Sequence, residues 1–209
     1  MAMKSGFIKR IRDIMRMDAG INGDAQRIEQ MVWMLFLKVY DAKEDDWELN
    51  EDDYESIIPE ELRWRNWAKK DEKGHAMTGD ILLHFVNNIL FPVLKGNDVK
   101  EGDKIIYNGI KVTPTTPVKK SIVKSTFEDA NNYMKDGVYL RQVIEIIDEV
   151  EFDDVKESHA FGFVYEEILR GLQSAGSAGE FYTPRAVTQF MAKMIEPKLG
   201  EKMADFACG

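Results

Sequence analysis

One cysteine in 209 residues, Cys208, excludes an internal disulfide framework and fits a chain that folds in a reducing compartment. Histidine is nearly as scarce. His75, His84 and His159 make no His-Glu-x-x-His or Cys-x-x-Cys spacing, so no metal site is expected. The six prolines, at 59, 92, 114, 117, 184 and 197, are never adjacent. No apolar run approaches the roughly 18 residues of a membrane helix, and residues 1–17 are too charged for a secretory signal. Residues 171–177 resemble a phosphate loop only loosely, because the Gly-Lys-Ser/Thr ending is missing. The expectation is a soluble, cytoplasmic chain with no membrane segment.

A basic surplus is missing too. The net charge is −9, with 44% hydrophobic and 31% charged residues, a globular composition long enough for one large domain and part of another. The acidity is local: residues 41–61 hold eleven carboxylates against Lys43 alone, which leaves the remainder close to neutral. That stretch reads as a solvated loop and helix face. The competing reading is a docking surface for a basic partner, or a face kept off DNA. A self-sufficient DNA binder would show a basic stripe, and none is present.

What is present is helical periodicity. Phe7, Ile8, Ile11, Ile14 and Met15 share one face of a first helix whose other face is basic, and core packing is preferred over phosphate contact. Asn22-Gly23-Asp24 makes a turn and cap. A core helix over about 25–40 follows, with Ile28, Met31, Val32, Leu35, Phe36 and Val39 in one stripe, widened by Met34 and Leu37. Trp64 and Trp67 alternate with Arg63 and Arg65. Such interleaving can stack bases, but i, i+3 spacing makes core anchors the preferred reading. Gly79-Asp80 opens a helix with Ile81, Leu82, Phe85, Val86 and Ile89 in register, ending before Pro92; His84 is a surface or satisfied core residue.

Residues 96–120 are the least helical, and Asn108-Gly109 between two β-prone arms predicts a small hairpin or loop insertion. Ser125-Thr-Phe-Glu128 reads as a capping box for a helix running to about Lys135 and stopping at Gly137. Helices are then expected over 138–150 (Leu140, Val143, Ile144, Ile147) and 161–173 (Phe161, Val164, Tyr165, Ile168, Leu169, Leu172). Residues 174–179 form a small-residue linker that marks a domain boundary.

The final stretch reads Glu180-Phe181-Tyr182-Thr183-Pro184-Arg185, then a helix with Val187, Phe190, Met191, Met194 and Ile195 on one face, a turn over 197–200, and Asp205-Phe206-Ala207-Cys208-Gly209. Thr183 suits an N-cap and Pro184 the first helical position. A short strand over 203–206 running into glycine is how a cofactor-binding turn begins in an open α/β sheet.

These two motifs resemble the opening of the N6-adenine DNA methyltransferase domain, and more narrowly the modification (M, HsdM) subunit of type I restriction–modification systems. Further likeness lies in the helix from Trp33 to Tyr40, in Thr126-Phe-Glu-Asp-Ala-Asn-Asn-Tyr-Met134, in Leu140-Arg-Gln-Val-Ile144, and from Gly171 to Pro184-Arg-Ala-Val187. One departure is Phe206, where the family more commonly has proline. The resemblance implies a mainly α fold. A helical N-terminal domain (1–172) carries the hairpin or loop insertion, and residues 173–209 supply the first helix and first strand of a Rossmann-like domain.

It also implies S-adenosyl-L-methionine as cofactor, with Glu180, Phe181, Tyr182, Thr183, Pro184 and Arg185 on one wall of the pocket. Thr183 lies nearest the methionine end, a role compatible with capping the helix. Asp205 would take the methionine ammonium, and Gly209 opens the loop beneath it. Cys208 is a small packing residue. The implied partners are the specificity (S) subunit, the restriction (R) subunit, a second M subunit and double-stranded DNA. The family's catalytic Asn-Pro-Pro-aromatic motif needs adjacent prolines, which this chain lacks, so no catalytic residue is assigned. The Thr-Gly-Gly that follows the second motif in the family is expected beyond Gly209, as in a fragment of a longer subunit. Two alternatives remain: a non-catalytic helical assembly module, and a methyltransferase acting on some other substrate.

Overall fold

The computed structural model describes residues 6–52, 54–101, 104–107, 110, 118–150, 185–196, 198, 200–202 and 204, and these are mainly helical. The chain divides into two compact units, 1–168 and 169–209.

The first unit begins with α1 (Phe7–Met15), which buries Phe7, Ile8, Ile11 and Met15 as their spacing predicts. Its basic face is used within the molecule: Arg10 pairs with Glu149, Arg12 with Asp24 and Arg16 with Asp13. Helix α2 (Gly23–Asn50) is 28 residues long, ten longer than its apolar stripe alone would support. The stripe stops near Tyr40. Beyond it the helix continues because Asp41, Glu44, Asp45 and Glu48 face two arginines, Arg63 and Arg65, from the following segment. Val32, placed in the stripe by sequence, is 44% exposed instead.

A 3₁₀ turn (Glu60–Leu62) leads into α3 (Trp64–Trp67). Trp64 and Trp67 are buried, edge to face at 5.3 Å, so the core-anchor reading holds and base stacking by these rings does not. Trp67 Nε1 donates to the Leu62 carbonyl (3.1 Å), and Trp64 Nε1 to Asp148 Oδ1 (2.9 Å).

Helix α4 (Gly79–Phe85) passes through a π-helical stretch (Val86–Leu90) into α5 (Phe91–Leu94), so the helix does not end before Pro92. A proline ring clashes with the carbonyl four residues back, and a wider turn just ahead of it relieves that clash. The wide turn also keeps Leu82, Val86, Leu90 and Leu94, each four apart, on one buried side. Ile81, expected inward, is 71% exposed.

Strand β1 (Val99–Glu101) pairs antiparallel with β2 (Lys104–Tyr107), in register Val99 with Tyr107 and Glu101 with Lys104. The arm 104–107 therefore pairs with the chain before it. Asn108 and Gly109, the expected turn, lie outside the described residues. Ile110 returns to the helical body, donating its N–H to the Val93 carbonyl (3.2 Å).

Helix α6 (Val118–Glu128) contains Ser125 and Thr126 in its last turns, where both hydroxyls donate to the Ile122 carbonyl. The capping-box reading is thus corrected: these residues finish a helix, because a hydroxyl in a helix bonds back to a carbonyl three or four residues earlier. Residues 130–136 are not helical, and α7 (Gly137–Asp148) starts where a stop was expected. Asp136 caps it, accepting from Val138 N (2.7 Å) and Tyr139 N (3.0 Å). The core closes around aromatic contacts from α2, α5 and α6: Trp33 to Phe91 at 5.1 Å, Phe91 to Phe127 at 5.4 Å and Phe36 to Phe127 at 6.1 Å.

In the second unit, α8 (Arg185–Ile195) is the helix predicted from its apolar spacing. It ends at Glu196, whose φ of 46° breaks the helical path, and Gly200 (φ 94°) makes a turn. The expected helix 161–173, linker 174–179 and strand 203–206 lie wholly or mostly outside the described residues. No helix among the described residues is long and apolar enough to cross a membrane.

Candidate functional site

Of the eight residues assigned to the cofactor pocket, Arg185 is within the described residues, as the first residue of α8. Glu180, Phe181, Tyr182, Thr183, Pro184, Asp205 and Gly209 lie outside them. The helix that follows the first motif presents Val187, Phe190, Met191, Met194 and Ile195 as an exposed apolar face, with Phe190 at 63%. Among the described residues no cluster of His, Cys, Asp or Glu has the arrangement of a metal site.

The acidic stretch, the other functional candidate of the sequence, is built differently from a solvated face. Asp41 is buried and accepts from Arg65 Nε at 2.8 Å, while Arg65 Nη2 donates to the Asp41 carbonyl at 2.7 Å and Nη1 pairs with Asp45. Arg63 Nη1 lies 2.8 Å from Glu48 Oε1 and its Nε 3.7 Å from Glu44 Oε2. Partial burial lowers the proton affinity of Arg65, but the hydrogen bonds and charges of Asp41 and Asp45 outweigh it and raise that affinity. The two arginines flanking Trp64 are thereby spent inside the molecule, and neither is free to contact phosphate. Asp46, Glu51, Asp52, Glu55, Glu60 and Glu61 remain on the outside.

Sequence reasoning missed the polar ties of the body, since nothing local marks them. Asp18, 3% exposed, accepts backbone N–H groups from Gly20 (2.7 Å), Lys135 (3.1 Å) and Asp136 (2.9 Å). Asp148 Oδ1 takes Lys38 Nζ at 2.8 Å beside Trp64. Burial pushes the Asp148 carboxyl up, yet the bonds from Lys38 and Trp64 prevail and hold it below the usual carboxylate range. Arg141, 6% exposed, donates to the Ala68 carbonyl just past α3 (2.6 Å).

Residues 5–147 match the HsdM N-terminal domain, and residues 156–209 match N-6 DNA Methylase. The Type I restriction enzyme EcoEI methylase subunit of Escherichia coli is 50% identical over 209 residues, which cover 98% of this chain and 39% of that protein. Among solved structures, a chain described as a modification subunit of a type I restriction enzyme from Vibrio vulnificus YJ016 superposes with a TM-score of 0.71 at 31% identity, covering 96% of this chain and 43% of that one. A second, from a study of complex assembly and conformational transition of the type I R-M system, gives 0.67 at 32% identity, covering 96% and 37%. The chain spans about two-fifths of the length of these relatives. With one family matched across the helical body and the other from residue 156 onward, the chain belongs to the HsdM family of type I modification subunits.

Proposed function

We propose that the chain is the front part of a DNA adenine-N6 methyltransferase subunit of a type I restriction–modification system, with the helical domain at 1–172 and the start of the methyltransferase domain at 173–209. The observation that carries this is a coincidence in one stretch: the N-6 DNA Methylase match over 156–209 contains both Glu180-Phe-Tyr-Thr-Pro-Arg185 and Asp205-Phe-Ala-Cys-Gly209. S-adenosylmethionine, when bound, supplies an electrophilic methyl group. The donor set suits it. Asp205 offers an anionic oxygen to the methionine ammonium, Thr183 a hydroxyl to the methionine end, and Gly209 a backbone without Cβ on which the ligand can lie closely. Glu180 to Arg185 form the facing wall.

Methylation of adenine N6 requires the base to be flipped and its amino group held. The family's motif for that step needs adjacent prolines, and this chain has none. The chain alone is therefore expected to transfer no methyl group, whereas the longer subunit with its specificity partner is expected to do so. Incubation with labelled S-adenosylmethionine and DNA tests this; label on DNA with the 209-residue chain alone would overturn it. In the longer subunit, Asp205→Ala should weaken cofactor binding by about tenfold or more, the loss of one charged hydrogen bond.

A second reading is favoured by the self-contained core of the helical body: it acts as an assembly module for the specificity subunit, in a complex that also holds a restriction subunit, a second modification subunit and double-stranded DNA. Pull-down of this chain by the specificity subunit tests it, and failure to retain the chain removes it.

A further inference from the structure

Glu44 projects from α2 with no exposed surface. Its Oε1 lies 2.9 Å from Tyr54 Oη and 2.5 Å from Ser56 Oγ, both on the segment that follows the helix. Its Oε2 has no hydrogen-bond partner among the described residues. The cation that approaches it, Arg63 Nε, stays 3.7 Å away, while Arg63 Nη1 is drawn 2.8 Å from Glu48 on the outer side.

The hydrogens can be counted. Ser56 Oγ is within bonding distance of two acceptors, Glu44 Oε1 at 2.5 Å and the Ile58 carbonyl oxygen at 2.9 Å. A hydroxyl has one hydrogen to donate. With Glu44 ionised, one of those two oxygens faces a lone pair. With the proton on Glu44 Oε1, the carboxyl donates to Ser56 and Ser56 donates to Ile58. Tyr54 then donates to a remaining lone pair of Oε1, and every close contact is a hydrogen bond. The 2.5 Å separation suits either direction of donation; the count of hydrogens does not.

The surroundings agree. Among the described residues, the titratable groups around Glu44 are Tyr40, Asp41 and Glu48 from α2, Tyr54 from the following segment, and Arg63 from ahead of α3. Burial raises the Glu44 carboxyl above its ordinary range, and Asp41 adds to this. Ser56, Tyr54 and Arg63 pull the other way without cancelling it. Tyr40 and Tyr54 are pushed up by burial and by Glu44 itself, so both phenols stay neutral.

We propose that Glu44 is a protonated latch: its neutral carboxyl ties residues 54–58 to α2, and loss of that proton as pH rises loosens the tie. The stabilisation is full below about 4.3, the value of an unfolded glutamate, and is lost as pH climbs through the higher folded value. Inside that window one proton changes the folding equilibrium by about tenfold per pH unit. Because Glu51, Asp52 and Glu55 stand exposed on or beside the tied segment, the latch governs how that acidic face is held.

The test is carboxyl-carbon NMR titration of the intact chain, assigned through the bonds of residue 44, with hydrogen exchange of residues 54–58 read in parallel. A Glu44 carboxyl that keeps its proton to higher pH than an unfolded glutamate is the expected result. Protection of 54–58, corrected for intrinsic exchange, should fall as pH rises through the Glu44 titration in the wild type and stay constant in Glu44→Gln, whose amide can replace the donated hydrogen. A Glu44 carboxyl titrating near 4, or the same pH dependence in Glu44→Gln, overturns the latch. The wild-type titration decides the matter even if that variant does not fold.

Discussion

Gln30 and Asn132, 102 residues apart in the chain, share a 2.8 Å hydrogen bond in the middle of the helical body. Gln30 has no exposed surface, and its other amide atom accepts the backbone N–H of Tyr133 at 2.8 Å. Asn132 passes the connection on, donating to Asn87 (3.0 Å) and to the Met134 carbonyl (3.2 Å). The irregular segment between α6 and α7 is thus held on α2 by side-chain amides in place of a ladder. Gln30→Leu should take this partner from two part-buried groups, Asn132 Oδ1 and the Tyr133 N–H. The expected loss is about 2–4 kcal/mol, read as a lower urea midpoint with an unchanged slope.

Where α7 starts, the backbone of Gly137 lies against that of Gly79 at the start of α4. A Cβ at 137 would overlap the Gly79 carbonyl oxygen. Neither neighbour is a flexible side chain, so Gly137→Ala must move one helix from the other. A loss of about 1–3 kcal/mol is expected, seen as a fall in thermal midpoint.

Asp148 joins Lys38 on α2 to Trp64 on α3. Its carboxyl is held below the ordinary range, so its contribution to stability is present above about 3.9, the unfolded value, and is lost as pH falls through the folded value. Asp148→Asn should destabilise the body by about 1–3 kcal/mol at neutral pH. It should also flatten the acid end of the stability profile, as followed by denaturant titration from pH 6 down to pH 2.

Phe127 and Phe190 are both phenylalanines on helices, with opposite surroundings. Phe127 is fully buried between Phe36 and Phe91, and Phe127→Ala should cost about 3–5 kcal/mol. Phe190 is 63% exposed, and Phe190→Ser should alter the stability of this chain by less than about 0.5 kcal/mol. All four tryptophans, at 33, 47, 64 and 67, lie in the first unit, so tryptophan fluorescence reads the first substitution directly.

Periodicity made α1, the apolar half of α2, α7 and α8 legible, because each buries or presents a stripe that repeats every three to four residues. It made Trp64 and Trp67 legible as anchors for the same reason. The far half of α2 was not, since what extends it is pairing with Arg63 and Arg65 across a loop. Pro92 misled because a π turn ahead of it removes the clash that normally ends a helix. Ser125 misled because a hydroxyl that caps one helix start also bonds back inside a helix end. The candidate pocket was legible as two motifs, Glu180 to Arg185 and Asp205 to Gly209. Of its surroundings α8 is in view, with the apolar face its spacing announces.

Three ties, Asp18 to Asp136, Gln30 to Asn132 and Lys38 to Asp148, each bridge more than a hundred residues. A ribosome adds about 5–20 residues per second. Helices α1 and α2 therefore leave the exit tunnel roughly 5–20 s before these partners exist, with Phe36 waiting for Phe127 through most of that time. During that wait the nascent chain is a natural client for a chaperone, and a ribosome stalled before residue 148 releases a product that cannot close its core.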